Sequence, residues 1–500
     1  MADHYDILVI GGGINGAGIA RDAAGRGLKV LLVEKDDLAQ HTSSASTKLV
    51  HGGLRYLENY EFRLVRESLK EREVLLAAAP HIIWPLRFVL PHDTGLRPAW
   101  LLRLGLFLYD HIGGRKLLPG TRRVDLRRPP HGDVLEPRLT KGFEYSDCWV
   151  EDSRLVVLNA MDAAAHGADI RTRTACTALA RAGDRWTATL TAQGGKQENV
   201  TARAVVNAAG PWVDEVLGRA LPGESHQNLR LVKGSHLVMR RLYEGEHGYI
   251  FQNGDGRIVF AIPYERDFTL LGTTDVGYEG DPDAVAIDQD ERAYICNAVN
   301  EYLRTDISPA DAVWSYSGVR PLYDDKAANN STVTRDYVFE VEGGGSEPPI
   351  LSIFGGKITT YRKLAEHALE RLEEAGLAVG GAWTRTARLP GGSIDPLAVD
   401  RFIADWQARA PWFPRAGIVR LVRAYGTRIA AILGDKSSLS ECGELMGGNL
   451  YASELAYLAE HEYARTAEDV LWRRSKLGLH LDDAGKDAVA RWFDRNVPGG

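Results

Sequence analysis

The feature that most constrains this chain is the turn in "LVIGGGINGAGIARDAA", residues 8–24, where an apolar run gives way to glycines and then to a helical pattern. Gly11, Gly13 and Gly16 follow residues 7–10 in G-x-G-x-x-G spacing. In a dinucleotide-binding fold the first glycine permits the tight turn, the second lets the backbone approach a pyrophosphate, and the third lets the helix pack closely. The N-terminus of that helix directs N–H groups at the anion. The spacing therefore predicts a strand, a phosphate-binding turn and a helix.

A second apolar run, residues 30–33, leads to Glu34. An acidic side chain at this point accepts a hydrogen bond from an adenosine ribose, which favours a ribose without a phosphate group. A glycine turn alone is as typical of an ordinary connector as of a nucleotide site. A strand, glycines, a helix, a second strand and an acid in this order favour the nucleotide site. The motif does not separate NAD from FAD.

Length and composition indicate a folded protein of two or three domains, because 500 residues exceed what one core supports. The net charge of -7 opposes general nucleic-acid binding. None of the four cysteines forms a C-x-x-C pair, which predicts reduced thiols in a cytoplasmic protein and no metal site. The chain opens without a basic and apolar leader, and it contains no run of about 18 uncharged apolar residues. We therefore expect neither a secretory signal nor a membrane-spanning helix.

The pattern of the chain changes after "RLPGGSID", near residue 388. Before it, short apolar runs alternate with glycine turns, and residues 342–349 are predicted to join two strands of a hairpin. After it, three segments have helical periodicity, and Thr466 with Asp469 resembles a capping box. We therefore predict a multilayer α/β region followed by a small all-helical domain.

Further glycine and hydroxyl clusters follow predicted strands far from the first turn, and they favour FAD over a nicotinamide. Each cluster alone fits a connector, but together they describe one extended cofactor that is contacted from the beginning, middle and end of a domain. A helix N-terminus after residue 356 also suits a negatively charged isoalloxazine carbonyl. The predicted cofactor contacts in these clusters are Thr42, Ser43, Ser46, Lys48, Ala209, Gly210, Gly355, Gly356 and Thr359.

Many segments together resemble the family of FAD-dependent, respiratory glycerol-3-phosphate dehydrogenases, within the D-amino-acid-oxidase-like flavoproteins. The resemblance covers nearly the whole chain, with small departures at His41 and Thr47. The segments that carry it are "GGGINGAGIARDAAGRGL", "TSSASTKLVHGGLRYLENYEFRLVRESLKEREVLL", "GFEYSDCWVEDSRLV", "KGSHLV", "LLGTTDVGYEGDP", "WSYSGVRPLYDD", "FGGKITTYRKLAEHALE" and "ARTAEDVLWRRSKLGL".

The resemblance implies an α/β fold in which a Rossmann-like FAD-binding domain is interleaved with an antiparallel-sheet substrate cap and followed by the helical domain. We expect residues 1–75, 145–218 and 312–387 to form the FAD-binding domain, and residues 76–144 and 219–311 to form the cap. Residues 388–500 form the helical domain. The sequence leaves open whether this domain mediates homodimer formation.

The implied reaction is oxidation of sn-glycerol 3-phosphate to dihydroxyacetone phosphate by hydride transfer to FAD, with electrons passed to ubiquinone or menaquinone in glycerol catabolism. The substrate phosphate requires cations, and the resemblance assigns Arg55, Tyr56, Thr273 and Lys357 to the substrate and Arg320 to the reacting hydroxyl.

His236 is the predicted base, because an imidazole titrates near neutral pH. With 14 histidines in the chain, a structural role for His236 stays open. Arg320 also favours a developing alkoxide and lowers the demand on any base.

Residues 96–120 combine leucines and aromatic residues with flanking arginine and lysine. This pattern is typical of an interfacial helix, and equally of an amphipathic helix packed on the protein's own core. Because the resembled family uses quinone, we expect monotopic attachment to the cytoplasmic face of the cell membrane.

Three alternatives to the implied function remain: an oxidase that reduces oxygen, a nicotinamide-linked dehydrogenase, and a non-catalytic flavin-binding protein.

Overall fold

The computed structural model describes residues 3–93, 98–223, 227–324 and 336–497, without the side chains of residues 55, 58 and 59. In chain order, the strands of this part are β1 (Asp3–Ile10), β2 (Val30–Val33), β3 (Leu49–Val50), β4 (Ile83–His92), β5 (Arg122–Asp125), β6 (Lys141–Val150), β7 (Asp169–Arg171), β8 (Thr174–Ala182), β9 (Arg185–Ala192), β10 (Gln197–Asn207), β11 (Leu229–Arg240), β12 (Gly248–Gln252), β13 (Ile258–Tyr264), β14 (Phe268–Gly272), β15 (Val276–Gly277), β16 (Ala312–Tyr323), β17 (Val338–Gly344), β18 (Glu347–Phe354), β19 (Leu445–Gly447) and β20 (Leu450–Tyr451).

The α-helices of the same ranges are α1 (Ile14–Gly25), α2 (Phe62–Ala78), α3 (Ala99–Ile112), α4 (Asp152–Ala165), α5 (Val213–Ala220), α6 (Gln289–Asn300), α7 (Tyr361–Glu374), α8 (Val399–Arg409), α9 (Arg415–Tyr425), α10 (Ile429–Leu433), α11 (Ala452–His461) and α12 (Asp483–Asn496). A π-helical turn, Asp469–Arg474, lies between α11 and α12.

The first sheet has the strand order β17-β18-β10-β1-β2-β7, with β9 and β8 added as a hairpin on β10. Strands β18, β10, β1, β2 and β7 are parallel, whereas β17 pairs with β18 in the antiparallel sense. Helices α1, α4 and α7 pack on this sheet, and their apolar side chains form one core with its strands. The predicted hairpin before residue 350 and the predicted α/β class are confirmed.

The pairing of these strands brings four turns that are distant in sequence to one edge. Residues 7–10 of β1 pair in register with residues 30–33 of β2, and Ile10 also pairs with Asn207 of β10. Asn207 in turn pairs with Ser352 of β18. Because parallel strands end at the same edge, the segments after residues 10, 33, 207 and 354 meet there. This edge is where an open parallel sheet binds its ligand.

The second sheet has the strand order β15-β11-β14-β13-β12-β4-β6-β3, with β16 on β11 and β5 on β6. All of its pairs are antiparallel except β4 with β12. Its strands supply the two apolar clusters of the cap. The predicted antiparallel cap is therefore present as a nearly antiparallel sheet.

The second sheet crosses the predicted domain boundaries at β16 and β6. We expected residues 312–387 and 145–218 in the FAD-binding domain, but β16 pairs along its length with β11, and β6 pairs with β4. Both strands therefore belong to the cap sheet. The sequence pattern of a strand shows which residues face a core, but it does not show which sheet the strand joins.

The C-terminal region, α8 to α12, has its own apolar core. It is not wholly helical, because β19 and β20 form a two-stranded sheet within it. Arg474 joins it to the first sheet region through Asp37 at 2.5 Å, and both side chains are fully buried. In the described ranges, no helix has the length and apolar character needed to cross a bilayer.

Candidate functional site

The glycine turn after β1 has the geometry that its sequence predicts. Gly11 has a φ of +112°, and a Cβ there would lie 2.4 Å from the carbonyl oxygen of Ala208. A Cβ on Gly16 would lie 1.9 Å from the carbonyl oxygen of Gly11. Larger residues at either position would therefore separate α1 from the sheet. Gly13 is the N-cap residue of α1 and has no side chain to cap it, so apart from the Ile14 N–H, which donates to Ser43, the first turn offers its N–H groups to an anion.

Glu34 stands beside this turn at the end of β2. One carboxylate oxygen accepts a hydrogen bond from the backbone N–H of Gly12 at 2.6 Å, and the other accepts from that of Asp36 at 2.8 Å. These bonds fix the carboxylate, although burial raises the pKa of Glu34 above its ordinary value. The hydroxyl of Ser43 accepts from the N–H of Ile14 at 3.0 Å, which leaves its own proton for an outside acceptor.

These groups line a first cavity of about 300 Å³ at the carboxyl edge of the parallel sheet. It extends from the glycine turn to the turns after β10 and β18. We name it the cofactor cavity. The predicted cofactor residues that line it are Gly11, Gly13, Glu34, Thr42, Ser43, Ala209, Gly210, Gly355 and Gly356.

A second cavity of about 320 Å³ shares Thr42, Ser43, Gly355 and Gly356 with the first. The two cavities are therefore adjacent parts of one cleft between the parallel sheet and the cap sheet. We name the second the substrate cavity. Seven further predicted residues line it: Ser46, Tyr56, His236, Thr273, Arg320, Lys357 and Thr359.

Arg320 is held on β16 by neighbours from the cap sheet. Its guanidinium lies 3.0 Å from the carboxylate of Asp275 and donates to the hydroxyl of Thr273 at 3.3 Å. Gly234, on the adjacent strand β11, makes room for it, because a Cβ there would lie 2.4 Å from Nη2 of Arg320. The arginine therefore faces the substrate cavity in a fixed orientation.

Lys357 and Tyr56 meet on another wall of the same cavity. The ammonium of Lys357 lies 3.9 Å from the centre of the Tyr56 ring. Gly53 accommodates that ring, because a Cβ there would lie 2.2 Å from it. The predicted Arg55 contact lies outside the described side chains, although its backbone belongs to the short helical turn Leu54–Asn59.

His236, on β11, is almost completely buried, with 1% of its surface exposed. Its Nε2 lies 2.9 Å from the Thr47 hydroxyl, its ring stacks on Tyr316, and a Cβ on Gly272 would lie 2.2 Å from it. Burial, and then the charges of Lys48 and Arg320, hold the pKa of His236 well below its ordinary value. The ring is therefore neutral at neutral pH and has a lone pair to accept a proton.

Comparison with known families agrees with this architecture. Residues 6–362 match the FAD dependent oxidoreductase family, and residues 382–495 match the C-terminal domain of alpha-glycerophosphate oxidase. The first match covers well over half of the chain.

The chain belongs to the FAD dependent oxidoreductase family.

Two curated relatives are similar to this oxidoreductase over almost its whole length. D-erythritol 1-phosphate dehydrogenase of Brucella abortus is 53% identical, over 98% of this chain and 97% of the relative. A glycerol-3-phosphate dehydrogenase of Pseudomonas aeruginosa is 52% identical, over 100% of this chain and 96% of the relative. The crystal structure of the glycerol-3-phosphate dehydrogenase of Bacillus halodurans complexed with FAD is also similar. It has a TM-score of 0.77 and 29% identity, and the match covers 98% of this chain and 90% of that one.

FAD is the cofactor of this oxidoreductase, and the cofactor cavity fits it. The open N-terminus of α1 and the close approach at Gly11 suit a pyrophosphate, and Glu34 at the end of β2 suits a ribose hydroxyl. The continuation into the substrate cavity gives the flavin ring a place beside Lys357 and Arg320.

Two predicted cofactor contacts, Lys48 and Ser46, bond to Asp152 in the structure. The Lys48 ammonium is fully buried and bonds to Asp152 at 2.8 Å, and Lys48 lines neither cavity. The prediction that it contacts the cofactor is corrected: a fully buried ammonium requires a carboxylate, and Asp152 supplies it. The hydroxyl of Ser46 donates to the same carboxylate at 2.7 Å. Gly16 packs α1 against the turn, which is the role predicted for the third glycine of the motif, and it does not line the cavity.

Sequence reasoning missed the groups that position the predicted residues. Asp275 orients Arg320, Thr47 bonds to His236, and Gly234 and Gly272 leave space for those two side chains. A signal was present for Asp275, which follows Thr273 by two residues in "LLGTTDVG". For the glycines, the signal was only their position near the predicted site strands.

Proposed function

We propose that this flavoprotein oxidises sn-glycerol 3-phosphate to dihydroxyacetone phosphate. The observation that supports the proposal most is that Arg320, Lys357 and His236 line the cavity adjoining the cofactor cavity. A phosphate monoester carries close to two negative charges, and each charge-assisted hydrogen bond contributes about 1.5 to 3 kcal/mol. Two such bonds favour a polyol phosphate over the free polyol by roughly 10²- to 10⁴-fold.

The proposed chemistry separates a hydride from a proton. FAD, when bound, accepts the hydride from the carbinol carbon. Lys357 and Tyr56 bind the phosphate end, while Arg320 and Thr273 orient the hydroxyl and favour the negative charge that develops on its oxygen. His236 accepts the hydroxyl proton on its neutral ring. A bound phosphate offsets the positive charges of Lys48 and Arg320, which raises the proton affinity of His236 when substrate is present.

A second substrate is favoured by one comparison. The relative named D-erythritol 1-phosphate dehydrogenase is as similar to this chain as the relative named glycerol-3-phosphate dehydrogenase. Both names describe a polyol phosphate, and the two substrates differ by one hydroxymethylene group. The cations of the substrate cavity suit the phosphate of either compound.

Anaerobic titration of the holoenzyme tests the substrate. We expect sn-glycerol 3-phosphate to bleach the flavin absorption and free glycerol to leave it unchanged at the same concentration. D-Erythritol 1-phosphate is compared through kcat/KM with an artificial dye as acceptor. A higher kcat/KM for D-erythritol 1-phosphate would reassign the substrate, and a flavin that neither phosphate bleaches would contradict the proposal and favour a non-catalytic flavoprotein.

We propose membrane quinone, ubiquinone or menaquinone, as the electron acceptor. The second matched family is described from an oxidase, which makes oxygen the alternative acceptor. Peroxide production during turnover distinguishes them: a quinone-dependent dehydrogenase releases little peroxide and reduces a soluble quinone analogue rapidly. Stoichiometric peroxide in air would establish the oxidase.

Peripheral attachment to the inner face of the cell membrane is supported by helix α3. Leu106 and Tyr109 pack against the cap, but one face of the helix carries exposed apolar side chains, of which Trp100 is 67% and Phe107 56% exposed. We name this face the α3 patch; its residues are Trp100, Leu101, Leu104, Phe107 and Leu108. Contiguous exposed apolar surface is typical of a membrane or protein interaction site. The exposed cations Arg103, Lys116 and Arg123 lie along the same part of the chain and suit anionic headgroups.

A further inference from the structure

A third cavity, of about 430 Å³, lies between the cap sheet and the C-terminal region. Trp84 and Trp149 form its wall on the cap side, and Arg420 and Arg423 of α9 form the opposite wall. None of its lining residues lines the cofactor or the substrate cavity. We name it the interdomain cavity, and its chemistry does not depend on the proposed function.

Two arginines of this cavity have buried donors that the protein leaves unused. Arg154 pairs with Glu462 at 2.5 and 2.9 Å, and Arg420 pairs with Glu454 at 2.6 and 2.7 Å. In each of these arginines, Nε is buried and has no hydrogen-bond partner in the described part of the chain. Both guanidinium groups belong to the lining of the cavity and contribute positive charge to it, while their carboxylate partners Glu462 and Glu454 are not part of that lining.

Arg423 and Lys476 carry positive charges that the surrounding carboxylates compensate poorly. The guanidinium of Arg423 lies over the Trp84 ring at 5.0 Å, and its carboxylate partner is Asp400 at 3.7 Å, a side chain that is 95% exposed. The ammonium of Lys476 is buried and donates to the carbonyl of Trp472, with no described carboxylate within 4.0 Å of it. Burial lowers the pKa of Arg423 and lowers that of Lys476 to about 8.

The acids of the cavity do not supply the missing charge. Glu246 lies at the rim, 90% exposed, and faces Arg241 at 3.5 Å. Glu265 faces His480 at 3.7 Å. Burial, and then the charge of Glu265, raises the pKa of Glu151 to about 7, so at neutral pH this carboxyl is only partly ionised. The lining holds seven arginine and lysine side chains and three glutamates, so its cations outnumber its acids.

We propose that the interdomain cavity binds a phosphate oxyanion. A phosphate accepts several hydrogen bonds at once, and arginine forks match its geometry. Arg423 and Lys476 would meet the oxyanion, and the guanidinium groups of Arg154 and Arg420 in the lining would add positive charge around it. The volume exceeds that of a free phosphate and leaves room for an attached organic group. The ligand is therefore inorganic phosphate or the phosphate group of a small metabolite.

Equilibrium dialysis of the FAD-loaded enzyme with radioactive inorganic phosphate tests this site. A Lys357→Met background removes one cation proposed for the substrate phosphate and weakens binding in the substrate cavity, and the added variants assign the remaining binding to the interdomain cavity. We expect one phosphate bound per chain in this background. Adding Arg423→Met or Lys476→Met should weaken phosphate binding at least tenfold, whereas adding Lys476→Arg should leave it unchanged. Arg409→Met is the matched control, because Arg409 also covers a tryptophan of the C-terminal region, Trp406, at 4.5 Å but does not line the cavity.

Flavin content and the melting temperature establish that each variant is folded. Phenyl phosphate, added as a competitor, distinguishes the two sources of the oxyanion: tighter binding than inorganic phosphate assigns the site to an organic phosphate, and equal or weaker binding assigns it to the free ion. Absence of bound phosphate in the Lys357→Met enzyme would overturn the proposal. So would equal binding in the folded Arg423→Met, Lys476→Met and Arg409→Met enzymes.

Discussion

The guanidinium of Arg320 lies 3.0 Å from the carboxylate of Asp275, although 45 residues separate them in the chain. The ion pair crosses the cap sheet: Arg320 is on β16, and Asp275 follows β14, two strands away. Asp275 thus determines where a cation meets the substrate cavity. The site depends on this carboxylate as well as on the residues proposed to contact substrate.

Replacing Asp275 by Asn should impair substrate binding more than it impairs folding. The neutral amide keeps a similar shape but holds the guanidinium less firmly, and hydrogen bonds to charged groups contribute about 1.5 to 3 kcal/mol. We expect kcat/KM to fall by roughly tenfold or more, with flavin content unchanged. Steady-state kinetics with an artificial dye measure it. An unchanged kcat/KM would mean that the pair does not position Arg320.

Gly234→Ala should displace Arg320 directly. The added Cβ would lie 2.4 Å from Nη2 of Arg320, so the guanidinium has to move. A misplacement of about 1 Å can reduce the rate by roughly 100-fold, and we expect a loss between about tenfold and 100-fold in kcat/KM. Gly254→Ala is the matched control, because a Cβ there has no atom within 4 Å. Equal activity of the two variants would argue against the positioning role of Gly234.

The α3 patch should hold the protein on membranes through apolar contact. Replacing Trp100 and Phe107 together by Ser removes two exposed rings, each worth about 1.5 to 3 kcal/mol when buried in lipid. We expect at least tenfold less enzyme on vesicles of phosphatidylethanolamine and phosphatidylglycerol in a sedimentation assay, with dye-linked activity retained. The control is Leu397→Ser, which changes a side chain 76% exposed in the C-terminal region. Equal sedimentation of both variants would contradict membrane attachment through α3.

Three buried histidines should make the protein less stable in mild acid. Burial lowers the pKa of His81 to about 3 and of His247 to about 4, and holds that of His236 well below its ordinary value. The unfolded chain takes up a proton at each near pH 6.5 while the folded chain does not. The stability that each neutral histidine contributes is therefore full above about pH 6.5. Below that pH the free energy of unfolding falls by about 1.4 kcal/mol per pH unit for each histidine, until the pH reaches the pKa of that histidine in the folded protein.

The pH dependence of unfolding by urea measures this effect. His81→Phe removes one of the three groups and should reduce the slope of the unfolding free energy between pH 6 and pH 5 by about one proton. An unchanged slope in a folded His81→Phe protein would show that His81 takes up its proton in the folded state as well.

Local patterns predicted the turns that converge on the cofactor cavity. The glycine turn, Glu34 and the segments after residues 207 and 354 follow strands of the parallel sheet, and parallel strands bring their carboxyl ends to one edge. Once those strands were identified, the convergence of the cofactor residues followed from topology. The family resemblance added the substrate end, which no local pattern specifies.

Long-range pairing limited the rest of the prediction. Lys48 lies among hydroxyl residues that suit a cofactor, but Asp152 pairs with it from 104 residues away. The assignment of β16 to the cap depends on its pairing with β11, and the orientation of Arg320 depends on Asp275. In each case the structure depends on which distant residue or strand becomes the partner. The sequence of one segment does not specify that partner.

Rapid anaerobic mixing of the holoenzyme with sn-glycerol 3-phosphate tests the central claim most directly, because the claim is that one cleft holds FAD beside the cations and His236. We expect fast bleaching of the flavin in the wild type. Arg320→Met should weaken substrate binding, and His236→Asn should slow reduction while binding is retained. Fast bleaching with unchanged substrate affinity in Arg320→Met, Lys357→Met and His236→Asn would contradict the account.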